Sequence, residues 1–165
     1  KERSLMKYLI ALMVLFIFNV STASENSIFG LWKNQDQRAK VKISSCTTNA
    51  EELCGIIVEL RDPFDAETGE DKTDKLNSDP VLKNRKLLGL MNLTGFKTAS
   101  QDPRHWTDGK IYSPREGETY SCEMSLIEPN TLEVRGYIGL PIFGKTQTWT
   151  RTTTDGKLQS FPDAE

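Results

Sequence analysis

From residue 118 onward the chain repeats a pattern that suits an extended strand and not a helix. Residues 118–127 set Tyr120, Cys122, Met124 and Leu126 on one side. After Glu128-Pro129-Asn130, residues 131–138 set Leu132, Val134, Gly136 and Ile138 against Glu133, Arg135 and Tyr137. A period of two marks a half-buried strand, because successive side chains point to opposite faces. Residues 40–46 alternate in the same way. Runs rich in apolar, β-branched or Thr residues at 28–33, 54–60, 87–96, 105–113 and 145–153 bring the total to about eight short strands. No comparable helical period appears. Residues 105–113 read as one strand with a bulge or as two short strands.

Most links between these runs are of hairpin length, with Pro and Gly where turns need them, as in Pro114-Arg115-Glu116-Gly117. Consecutive antiparallel strands joined this way form a meander. Eight of them remove their exposed edges by closing. The predicted fold is therefore all-β: an eight-stranded antiparallel meander barrel. Such a barrel is just wide enough to be filled by side chains or to hold one small ligand. One link breaks the rule. Residues 61–86 connect two strands, far longer than a compact domain spends on a structureless connection without a use. Asp79-Pro80 inside it predicts one capped helical turn over 79–83. The link is the segment best able to cover a barrel mouth.

The N-terminus bears on compartment. Lys1, Arg3 and Lys7 precede an apolar run over 8–18, followed by small residues at Ser21 and Ala23. This is the layout of a secretory signal. The run is too short to span a bilayer. The expected organisation is a cleaved signal at 1–23, one barrel domain at 24–153 and a polar tail at 154–165. Cleavage removes three cations and one anion, taking the net charge from −2 to about −4. No basic stripe is left for nucleic acid, and no membrane span remains. The predicted location is outside the cytoplasm.

An oxidising compartment favours pairing of cysteines. Cys46 and Cys54 end adjacent strands across a short hairpin, which can bring their Cβ atoms together. Cys122 then reads as a buried thiol. Three Cys with His105 lack the close spacing of a zinc site. The link acids Asp62, Asp65, Glu67, Asp71, Asp74 and Asp79 lack EF-hand spacing and are diluted by lysines, so no metal and no cofactor is predicted. His105 is the single histidine and no G-x-S-x-G appears. No catalytic residue is assigned and the chain is read as a non-enzyme.

Several phrases occur together in order: Gly30-x-Trp32, Leu53-Cys54-Gly55, Lys72-x-Asp74-x-x-Asn77-x-Asp79-Pro80, Leu87-Leu88-Gly89-Leu90, Val134-Arg135-Gly136-Tyr137-Ile138-Gly139 and Gln147-x-Trp149-x-Arg151. In this order they resemble the bacterial family called domain of unknown function 2147, small exported envelope proteins. The match runs from about Phe29 to Arg151. The resemblance implies a lipocalin-like barrel and export, and no established activity. It also implies that Gly30, Trp32, Trp149 and Arg151 are structural, with Arg151 stacked on Trp32 at one barrel end. Polar candidates for a ligand site are Asp74 and Asn77 of the link with Arg135 and Tyr137. Those last two line the interior only if the Val134 face looks outward, and the pattern leaves the face open. The leading expectation is a barrel that binds a small apolar or amphipathic ligand. The alternative is an envelope structural or interaction protein with a solid core.

Overall fold

A computed structural model describes residues 27–152. The expected signal at 1–23 and tail at 154–165 lie outside the described residues. Eight strands follow in chain order: β1 (Gly30–Lys33), β2 (Ala39–Ser45), β3 (Leu53–Leu60), β4 (Met91–Ala99), β5 (Asp102–Ser113), β6 (Glu118–Glu128), β7 (Thr131–Tyr137) and β8 (Lys145–Thr152). Each pairs antiparallel with the next. β8 returns to β1 through Trp32↔Arg151, so the sheet is a closed barrel with no free edge.

Alternation decides the faces. Val41 and Ile43 from β2, Leu93 from β4, Cys122, Met124 and Leu126 from β6, and Leu132 and Val134 from β7 all point inward and are almost wholly buried. The Val134 face is therefore the inner one, and Arg135 lies outside. Strand register also depends on close packing. A Cβ on Gly109 would come within 2.3 Å of the Phe96 ring, so a hydrogen is all that fits where these strands cross the core. β5 is one strand with a bulge: the pairing shifts between Trp106 and Gly109, and Asp108 adopts φ 63°.

The two ends differ. At one end sit the chain entry at Ser27–Phe29, the 47–52 hairpin and the Pro129-Asn130 turn. Here Arg151 donates from Nε to Pro129 O (2.7 Å), from Nη1 to Phe29 O (2.9 Å) and from Nη2 to Ser27 O. Its guanidinium lies 4.3 Å from the centroid of the fully buried Trp32 ring. One side chain thus ties the chain entry and the Pro129-Asn130 turn to the barrel floor. Cys46 and Cys54 are bridged at this same end, and Cys122 is a buried free thiol. The other end gathers the 34–38 turn, the long link, the 114–117 turn and the 138–144 loop.

Three element boundaries differ from expectation. Residues 87–90 belong to a turn rather than to β4, with Leu90 N donating to Leu87 O. Residues 98–104 are mostly strand, and only Ser100 and Gln101 turn between β4 and β5. The helical turn in the link is a 3-10 turn at Leu82–Asn84, later than 79–83. Its N-cap is Val81, while Asp79 Oδ1 accepts from Val81 N at 2.9 Å.

Candidate functional site

The link is held shut on itself by one carboxylate. Asp74 is fully buried. It accepts from Tyr112 Oη (2.7 Å), Asn77 Nδ2 (2.8 Å), Arg85 Nε (2.9 Å) and Arg85 Nη2 (2.8 Å). Those four donors saturate it. The Arg85 guanidinium lies over the Tyr112 ring at 5.1 Å. Burial, and then the hydrogen bond to Asp74, raise the Tyr112 phenol above its ordinary value. Isolated bridges Phe64↔Asp71 and Thr73↔Lys86 fold the rest of the link into small closed loops. Its outer acids are used locally: Lys75 Nζ sits 2.7 Å from Asp65, and Lys86 Nζ 2.7 Å from Asp71. The Lys75 hydrogen bond draws Asp65 down to about 2. Among the described residues no three His, Cys, Asp or Glu side chains gather as a metal ion would need.

Inside the mouth the barrel is open. One cavity of about 480 Å³ runs down past Leu60, Leu87 and Ile111 to Val41, Ile57 and Trp149. A second, of about 450 Å³, lies between Tyr120, Val134, Gly136, Ile138, Phe143 and Lys145. The two share Ile111, Ser113, Glu116 and Gln147 as a common wall. Each is within the range of small-molecule pockets. Val41, Ile57, Leu60, Leu87 and Ile111 give the first cavity apolar walls, and the buried Asn92 amide is a polar group among them. The Tyr120 hydroxyl donates to Glu116, which raises the Tyr120 phenol. At the rim, Arg115 Nη1 is 2.9 Å from Asp36, and Trp149 Nε1 donates to Gln147 Oε1 at 3.0 Å.

The four polar candidates read from the sequence do not converge. Asp74 and Asn77 meet each other in the link lock. Arg135 projects from the outer face, where Nε donates to Pro141 O (2.8 Å), Nη2 to Ile142 O (3.3 Å) and Nη1 to Thr146 Oγ1 (2.7 Å). It clamps the 138–144 loop. Tyr137 borders the second cavity, and burial raises its phenol. An interior floor built on Arg135 with link acids does not form, because β7 turns its Val134 side inward. The polar residues that do border both cavities, Ser113, Glu116 and Gln147, stand near strand ends and in a turn. Their only sequence signal was position at one end of the meander.

His105 also has company. Its Nδ1 lies 2.8 Å from Ser125 Oγ and its Nε2 3.9 Å from Glu123. Asp102 and Asp108, its neighbours in sequence, are not its partners. The trio occupies the convex outer face of β5 and β6, and none of the cavities above reaches it. A cross-strand hydrogen bond accounts for it.

The sequence profile of the family described as "Uncharacterized protein conserved in bacteria (DUF2147)" matches residues 30–151. No curated protein matches the chain. Among solved structures, protein HP1028 of Helicobacter pylori, described as belonging to the lipocalin family, superposes with a TM-score of 0.68 at 24% identity. The alignment covers 82% of this chain and 92% of that one. At that identity the likeness is one of fold.

Proposed function

The chain belongs to the DUF2147 family of bacterial proteins, and from that premise we propose that it is an exported carrier of a small amphipathic molecule held in the open half of its barrel. The observation that carries this reading is the pair of neighbouring cavities inside the mouth, which share a wall. An eight-stranded barrel has room for side chains or for one ligand, and here side chains occupy only the closed half. The apolar part of the ligand lies against Val41, Ile57, Ile111 and Trp149. Its polar end remains near Ser113, Glu116 and Gln147. The locked link stands beside this mouth as a fixed rim. Export is supported by the Cys46–Cys54 bridge, a bond that persists in oxidising compartments, and by the signal layout over 1–23.

The test is native mass spectrometry of protein isolated from a bacterial envelope, with titration of the delipidated protein by the neutral fluorophore N-phenyl-1-naphthylamine. A co-purifying adduct of lipid mass and a saturable fluorescence rise at one equivalent are expected. A bare protein mass together with no saturable rise would overturn the reading in favour of a barrel used for structure or contact.

A further inference from the structure

The ends of the barrel differ in exposed apolar surface as sharply as in packing. Ten large hydrophobic side chains are exposed among the described residues; eight are at the open end. Four of them lie in the 138–144 loop: Ile138 (76% exposed), Leu140 (62%), Ile142 (76%) and Phe143 (77%). Val81, in the link, is 83% exposed. Scattered single hydrophobics need no explanation, but a cluster at a tip does.

The exposure is built in. Arg135 reaches across from β7 and binds the carbonyls of Pro141 and Ile142. Pro141–Phe143 is a 3-10 turn, and Phe143 N and Gly144 N close on Leu140 O and Pro141 O. With its backbone pinned in this way, the loop holds these apolar side chains at the exposed tip. It presents them outward as a convex tip, which suits a fluid phase better than a shaped protein groove. Lys83 and Lys145 adjoin the two tips, within stretches (Pro80 to Gln101 and Val134 to Thr154) that contain no Asp or Glu. Acids do stand at the same end: Asp71 pairs with Lys86, and Glu116 lines the second cavity with Ile138 and Phe143.

We propose that the open end docks on an anionic lipid bilayer, with the 138–144 loop entering the interface and the Val81-Leu82-Lys83 turn supporting it. Apolar side chains that enter the headgroup boundary beside cations are how peripheral proteins bind such surfaces. The mouth also makes this orientation useful. Ile138 and Phe143 line the second cavity as well as the tip, so a lipid-derived ligand passes from bilayer to cavity along continuous apolar surface. This inference goes beyond the carrier reading, and docking does not require a bound ligand.

The experiment is flotation of the full mature chain with vesicles of phosphatidylethanolamine and phosphatidylglycerol, compared with phosphatidylcholine alone. Wild type is expected to float with the anionic vesicles and to be released by high salt. L140S/I142S replaces two side chains that line neither cavity, and should lower partitioning about tenfold or more. K83E should weaken it several-fold on anionic vesicles only. Both variants should keep the wild-type melting temperature and, without vesicles, wild-type binding of N-phenyl-1-naphthylamine. Three results would each overturn the proposal: wild type that stays with the free protein, L140S/I142S that floats undiminished, or a concentration-dependent dimer that this variant abolishes while no vesicle is bound. Loss of fluorophore binding with flotation intact would instead sink the carrier reading alone.

Discussion

Asp74 shows how one residue can organise thirty. Its carboxylate collects a phenol, an amide and a guanidinium, and those partners come from the link itself and from β5. The Lys72-x-Asp74-x-x-Asn77 phrase was legible in the sequence, but its purpose was not, because Tyr112 lies 38 residues away. Removing the carboxylate deprives the half-buried Arg85 and Tyr112 of their shared acceptor. Asp74→Ala should therefore cost about 2–3 kcal/mol, read as a lowered urea midpoint. Arg85 is a third exposed, which keeps the cost below that of a fully buried pair. Cys122 behaves differently. Burial pushes its thiol from 9.0 up to about 12. Because the folded value is the higher, the native state holds this proton longer than the unfolded chain. The stability it contributes is complete below pH 9 and is lost as pH rises toward 12. Cys122→Ala should flatten the alkaline arm of the stability profile. In the wild type, a thiol reagent at pH 8 should modify Cys122 only at the rate of unfolding.

Elements were readable where one face is buried and the other wet. β6 and β7 alternate cleanly because every second residue meets the core, and their bounds came out within a residue or so. The ends of β4 and β5 were misread for the opposite reason. Thr98, Ala99 and Asp102 to Arg104 are paired in the sheet, yet extend past the core and so carry no apolar signal. Leu87 to Leu90 misled in the reverse sense: the run is apolar because Leu87 and Leu90 pack on the core from a turn. The 47–52 hairpin is the element whose energetics follow most directly from sequence. The bridge from Cys46 to Cys54 spans eight positions. On the chain-entropy account closing such a loop stabilises by about 2–3 kcal/mol. C46S/C54S should lower the free energy of unfolding by that amount while far-UV circular dichroism keeps its strand signature, since the β2–β3 ladder from Ala39 to Leu60 does not depend on the bridge.

For the whole molecule, the decisive property is that the barrel is filled at one end only. The meander and its closure could be inferred from eight strand-like runs, three of them alternating, joined mostly by short links. Which half would stay open could not, because Val41, Ile57, Ile111, Gln147 and Trp149 come together from four strands and the cavity depends on what each leaves unfilled. Two substitutions on the same strand separate the halves. Leu132 is fully buried near the closed end. Leu132→Ala should create a void and cost about 3 kcal/mol, within the range of such truncations, yet leave N-phenyl-1-naphthylamine binding at its wild-type affinity. Gly136 sits four residues on, in the wall of the second cavity. A Cβ there would meet Ile111 Cγ2 at 3.5 Å and Tyr120 Cβ at 3.7 Å, ordinary contact distances. Gly136→Leu should thus fold with a melting temperature close to wild type and fill space that the ligand would occupy. Fluorophore affinity should fall about tenfold or more, as expected when several buried apolar contacts are displaced. If Leu132→Ala weakens binding as much as Gly136→Leu does, the two halves are not independent and the barrel acts as one deformable core. If neither weakens it, the fluorophore binds outside the barrel. The division between a structural floor and a working mouth requires the opposite effects on stability and binding to appear in the two variants.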